Sequence, residues 1–147
     1  MASTIVLLHS PRTCIDGMMS QTATGGDGLG TLRMDKARDG HAVVIRVAGH
    51  LDLGTRGWLA DFVDGALGPE LWLVVDLRGV ALCDAAAMST LISIAEARRS
   101  RGGWLRLAAP GDIVARAFEV VAFGQFVPIY ASVVAAVAGD ETERIKN

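Results

Sequence analysis

The stretch from Leu71 to Leu91 constrains this chain more than any other. An apolar run, Leu71-Trp72-Leu73-Val74-Val75, leads through Asp76-Leu77-Arg78-Gly79-Val80 into Ala81-Leu82-Cys83-Asp84, and Ala85-Ala86-Ala87-Met88 then opens a helical pattern. The run does not alternate polar with apolar residues, which places it as a central strand of the sheet. Asp84 stands where a helix needs a side-chain oxygen to accept from its free N–H groups. A buried strand feeding an aspartate-capped helix is the repeating unit of an α/β sheet. Upstream, Ala48-Gly49-His50-Leu51-Asp52 marks a second junction of strand and helix.

The rest of the chain keeps this rhythm. Thr31 to Ala37 alternates, Arg38-Asp39-Gly40 supplies a tight turn, and His41 to Ala48 alternates again, with Val43, Ile45 and Val47 on one face and Arg46 on the other. Leu59, Phe62, Val63 and Ala66 fall at helical spacing after Asp52, and Gly68-Pro69 stops that helix. In the next helix, about Ala86 to Arg101, Met88, Leu91, Ile92 and Ala95 form the predicted buried stripe, and Gly102-Gly103 ends it. Trp104 to Ala108 reads as a strand with Arg106 on the same uncovered face as Arg46. Pro110-Gly111-Asp112 precedes a helix with Val114, Ala117, Phe118 and Val121 apolar. Phe126 to Tyr130 is a short strand, and Ser132 caps a last helix through Val137.

The predicted architecture is therefore α/β: a mixed β-sheet of about five strands, one antiparallel hairpin feeding parallel βαβ units, with helices packed on one face. Residues 1–30 read as a flexible N-terminal extension, because Gly25-Gly26-Asp27-Gly28-Leu29-Gly30 has linker composition; Ile5 to Leu8 is an edge strand or disordered. Residues 31–139 form the domain, and 140–147 a charged, frayed tail.

Composition excludes several classes. A chain of 147 residues, 51% hydrophobic, is one domain with a real core. Its net charge of −2, from 14 basic and 16 acidic residues, gives no field for nucleic acid. The one dense basic cluster, Arg98, Arg99 and Arg101, suits a solvated helix C-terminus. Cys14 and Cys83 fit a reducing compartment, Cys83 as a small buried residue or else as a redox sensor. With His9, His41 and His50 they supply no zinc spacing, and no cofactor is expected. No apolar run approaches the roughly 20 residues that cross a bilayer, and the N-terminus lacks a basic start, so the expected location is the cytoplasm. No Ser-His-Asp, paired-carboxylate or Cys-His constellation assembles locally, and the expected class is not an enzyme.

Gly49-His50-Leu51-Asp52 and Asp84-Ala85-Ala86-Ala87-Met88, in this order and spacing, resemble the two signatures of the STAS domain, the module of bacterial anti-sigma-factor antagonists. Gly102-Gly103, Pro110 and Phe126-x-x-Ile129-Tyr130 are similar to further family positions, and the resemblance spans about Thr31 to Ala138. It implies a surface at the start of the second helix that docks an anti-sigma factor which is also a serine kinase. It also implies that the residue after Asp84 is the usual phosphorylation site. Here that residue is Ala85, and the family's glycine is Ala87. Alanine has no hydroxyl to receive a phosphate, so the switch is expected to be missing.

The candidate partner-binding residues are His50, Asp52, Asp84, Ala85, Ala86, Met88 and Ser89, with Ala85 as a degenerate phosphosite. The bland alternatives stay beside them: both aspartates as simple caps, Met88 as core, and Ser89, Thr90 and Ser93 as ordinary helix serines and threonine or a relocated phosphosite. Trp58 and Ile94 are expected to be part-exposed anchors. A monomer or weak homodimer is expected. The competing functions are a sensor of a nucleotide, lipid or other small ligand beside Asp52 and Asp84, or a scaffold subunit.

Overall fold

The computed structural model describes residues 19–24, 31–67 and 71–146. Seven strands form one sheet in chain order: β1 (Met19–Thr24), β2 (Thr31–Asp39), β3 (Ala42–Leu51), β4 (Trp72–Cys83), β5 (Trp104–Ala108), β6 (Ile129–Tyr130) and β7 (Arg144–Ile145). The helices are α1 (Arg56–Leu67), α2 (Ala85–Arg99), α3 (Asp112–Val120) and α4 (Val133–Ala138). β1, β2 and β3 pair antiparallel, β3 to β6 are parallel, and β7 returns antiparallel on β6. The five predicted strands are present as the mixed sheet that the alternating pattern requires.

Two strands lie outside that expectation. β1 falls inside the segment read as a flexible extension and pairs along its length with β2. Residues 140–147 were expected to fray, yet Arg144 and Ile145 pair with Tyr130 and Ile129. Tyr130 Oη donates to Glu141 Oε2 and Ser132 Oγ to Glu143 Oε1, which fastens the segment by side chains. Conversely, the predicted strand Phe126–Tyr130 shrinks to its last two residues, because Phe123–Gln125 forms a 3₁₀ turn. The predicted Ile5–Leu8 strand, the glycine linker and Cys14 lie outside the described residues.

The three crossovers β3-α1-β4, β4-α2-β5 and β5-α3-β6 join adjacent parallel strands, and their helices share one face, as right-handed connections demand. Between them and the sheet lies the main core, including Leu32, Ile45, Leu59, Leu73, Leu91, Leu107 and Phe118. One-face packing holds for these helices and not for α4. Ala135 and Ala136 press α4 onto Val44, Val74, Ala108 and Tyr130 on the other face. No parallel crossover constrains α4, since β7 is antiparallel to β6, and its alanines let the helix lie close to the sheet. Arg106, expected to be uncovered, donates from Nη1 to Ala136 O at 2.9 Å and lies 3.7 Å above the Trp104 ring. It thereby satisfies carbonyls at the helix end that have no partner of their own.

The helix caps follow the sequence. Gly40, at φ +63°, makes the hairpin turn, and Ser132 Oγ accepts from Ala135 N at 3.1 Å. The buried arc of α2 is wider than its predicted stripe, because α1 flanks the helix as well as the sheet. Ile94 is consequently core, not a surface anchor, as is Trp58 on α1. Arg98, read as solvated, is buried, and its Nε and Nη2 have no hydrogen-bond partner among the described residues. Burial, and then the neighbouring Arg101, pull its pKa down, with Asp64 opposing.

Candidate functional site

β3 and β4 end side by side, with Leu51 opposite Cys83, so the two aspartates that follow are neighbours. Gly49 takes φ +117°, a conformation that a residue with a side chain rarely adopts, which accounts for the glycine three positions before Asp52. β4 is longer than the sequence suggests. Ala81-Leu82-Cys83, expected in the loop, continue the strand, and Leu82 and Cys83 pair with His50 and Leu51 at the end of β3.

Asp52 closes on its own turn. Its Oδ1 accepts from Gly54 N at 3.0 Å and from Thr55 N at 3.1 Å, and its N–H donates back to Thr55 Oγ1 at 3.0 Å. Thr55 Oγ1 donates in turn to His50 O at 2.6 Å. This is a reciprocal cap with threonine at the third position, and it leads into α1, which starts at Arg56. His50 contributes its carbonyl to this turn, and its side chain is half-buried.

Asp84 reaches further. Its Oδ1 accepts from Ala87 N at 2.9 Å and caps α2, while Oδ2 accepts from Leu53 N at 3.1 Å. The simple-cap reading of Asp84 therefore covers only half of its role, because the second oxygen ties the β4–α2 junction to the β3–α1 turn. Asp84 N also donates to Leu51 O at 3.1 Å.

Around this knot the surface is mainly apolar. Ala81 and Ala85 are exposed, Ala86 is half-buried, and Leu53 and Leu82 are 67% and 43% exposed. Ser89, one turn beyond Ala85 on the same face, is exposed. Met88 is core, so it is withdrawn from the candidate surface, and Ala87 turns its methyl inward at 0% exposure, away from any partner. Sequence reasoning missed Leu53 and Leu82: Leu53 comes beside Asp84 through the bond across the strand ends, and Leu82 is exposed on the last residues of β4. Thr90 donates its hydroxyl to Ala86 O at 3.1 Å, whereas Ser93 is exposed.

Cys83 is buried beneath this surface, and burial, with the Asp84 charge second, pushes its thiol up to about 12. It is a packing residue at neutral pH, since thiolate is the reactive form. Among the described residues, no cluster of His, Cys, Asp and Glu could hold a metal ion, and no helix is long and apolar enough to cross a membrane.

The family model described as "Mlab, STAS domain" matches residues 34–129. The chain belongs to the STAS domain family. No curated protein matches the sequence. Among solved structures, this STAS domain is similar to an anti-sigma factor antagonist from Mycobacterium paratuberculosis, with TM-score 0.63 and 17% identity, over 75% of this chain and 94% of the other. It is similar also to the anti-sigma factor antagonist SpoIIAA in its unphosphorylated form (TM-score 0.60, 17% identity, 78% of this chain and 99% of the other). A sulfate transporter family protein from Wolinella succinogenes has the same fold (TM-score 0.58, 19% identity, 69% and 86%). At such identities the likeness establishes the STAS fold, which serves proteins of more than one role.

Proposed function

We propose that this STAS domain is a non-catalytic, protein-binding regulator of the anti-sigma-factor-antagonist type, and that phosphorylation at the start of α2 does not switch it. The observation that carries the reading is the exposed methyl of Ala85 at the first position of α2, next to an aspartate whose two oxygens are both engaged. A serine there would present its hydroxyl to a kinase. Phosphorylation would add about −1.5 to −2 charges to this surface. An alanine leaves the surface permanently apolar, with Leu53 and Leu82 beside it.

The partner that fits is a regulatory protein with an apolar contact area, an anti-sigma factor of the serine-kinase class being the first candidate. The expected setting is the cytoplasm. With the acceptor oxygen gone, occupancy would follow the abundance of the two proteins or the state of a third.

Capture from native cytosol tests the reading, with the wild-type chain and Ala85→Glu compared by quantitative mass spectrometry. The wild type should retain a regulatory partner that the variant loses, and ATP should not release it. Phosphate on the wild type at Ser89, Thr90 or Ser93, accompanied by release, would refute the unswitched reading. Equal capture by both chains would move the docking surface elsewhere.

A further inference from the structure

On the sheet face opposite α1–α3, α4 covers the part over the start of β3 and over β4, β5 and β6. Beside it, over β2, β3 and the later half of β4, lies a hollow of about 550 Å³. Arg33, Asp35, Arg46, Asp76 and Arg78 line it, with Gly79 and Ala48 among its small residues. Such a volume is in the range of small-ligand sites.

A bulge shapes the hollow. β3 and β4 stay in register from Val43/Leu73 to Arg46/Asp76 and then slip before Ala48/Gly79. Leu77 and Val80 both enter the main core, and the two residues between them, Arg78 and Gly79, both line the hollow. Gly79 comes so near Ala48 that a first side-chain carbon would sit 2.9 Å from Ala48 Cβ. That clash keeps a side chain out and leaves the floor as backbone and one methyl.

Arg46 lies at the centre, paired in register with Asp35 on one side and Asp76 on the other. Asp76 is 7% exposed, and its Oδ1 accepts from Arg78 N at 3.0 Å. Among the described residues, no ion pair engages Arg33, Arg46 or Arg78. Three guanidiniums against two carboxylates make this a locally positive spot on a chain of net charge −2.

The geometry points to a binding site for a small phosphate monoester that carries hydroxyl groups, of sugar-phosphate size. Guanidinium forks match the oxygens of a phosphate two at a time. The carboxylate of Asp76, with Oδ1 held by Arg78 N, has its second oxygen to accept from a hydroxyl, which favours a phosphate joined to a polyol over a bare ion. The site lies away from the aspartate junctions and stands independently of the docking function.

The test titrates the full chain with ribose 5-phosphate, inorganic phosphate and ribose at low salt, by calorimetry and by amide shifts in NMR. Ribose 5-phosphate should saturate with shifts at Arg46, Arg78 and Gly79, bind about tenfold tighter than inorganic phosphate, and weaken as salt rises. Arg46→Ala should cost at least about tenfold in affinity with an unchanged melting temperature, since its side chain is exposed. Ala85→Glu should bind like the wild type. Three results would each overturn the proposal: no saturation at millimolar ligand, equal binding of inorganic phosphate, or full affinity in Arg46→Ala.

Discussion

Asp52 and Asp84 stand at the same kind of junction, at the ends of adjacent strands, and the structure uses them differently. Asp52 bonds only within its own turn, where Thr55 returns the favour to its N–H. Asp84 caps α2 with one oxygen and holds Leu53 across the strand boundary with the other. The first stabilises a local conformation. The second fixes how two segments far apart in sequence sit relative to each other, and those segments carry the exposed Leu53, Leu82 and Ala85. One residue type at one kind of position thus gives a structural cap in one place and the organiser of a surface in the other.

The largest expected effect comes from charging that surface. Ala85→Glu should weaken a partner complex at the Asp84 junction about 100-fold, because an unpaired charge would be buried in the interface. The fold should not suffer, since an acid at a helix N-terminus is favourable by about 0.3–1 kcal/mol. Isothermal titration with the captured partner and a urea melt of the variant check both halves. A destabilised variant would make the affinity loss a folding effect.

Stability should separate the aspartates directly. Asp84→Ala removes a cap and a cross-segment bond and should cost about 2 kcal/mol, while Asp52→Ala should cost about 1 kcal/mol. Equal losses in denaturant melts would break the distinction. Within the Asp52 turn, Asp52→Ala and Thr55→Val should be coupled by about 0.5 kcal/mol or more in a double-mutant cycle, because the two side chains share bonds. Additivity would mean that the reciprocal cap contributes nothing as a unit.

The smallest effect is expected at Cys83. In a Cys14→Ser background at neutral pH, Cys83 should resist alkylation until the chain unfolds, because its thiol is pushed up to about 12 and is buried. Asp84→Asn should speed labelling only slightly, since burial outranks the Asp84 charge as the cause. Rapid native labelling would restore the redox-sensor alternative.

Much of the scaffold was legible in the sequence. Alternation in Thr31–Ala37 and His41–Ala48, the non-alternating Leu71–Val75 run and the Asp39-Gly40 turn each report a local preference, and each is present in the fold. Asp84 as a cap was legible for the same reason. The failures concern relations between elements. Ile94 and Trp58 were read from one helix at a time, whereas α1 and α2 bury each other's flanks. Arg106 looked like an open-face residue because its partner, the end of α4, is thirty residues away. The bond from Leu53 to Asp84 spans thirty-one residues, and the hollow around Arg46 depends on a one-residue slip between β3 and β4. Periodicity carries no information about either.

The account depends most on a docking surface that persists without an acceptor hydroxyl at position 85. The direct measurement incubates wild type and Ala85→Ser with the captured partner and ATP, and reads phosphate by intact mass and complex by size-exclusion chromatography. The account predicts that the wild type stays unmodified and bound, while Ala85→Ser gains one phosphate and is released. A wild-type chain that takes up phosphate and leaves the complex would contradict it.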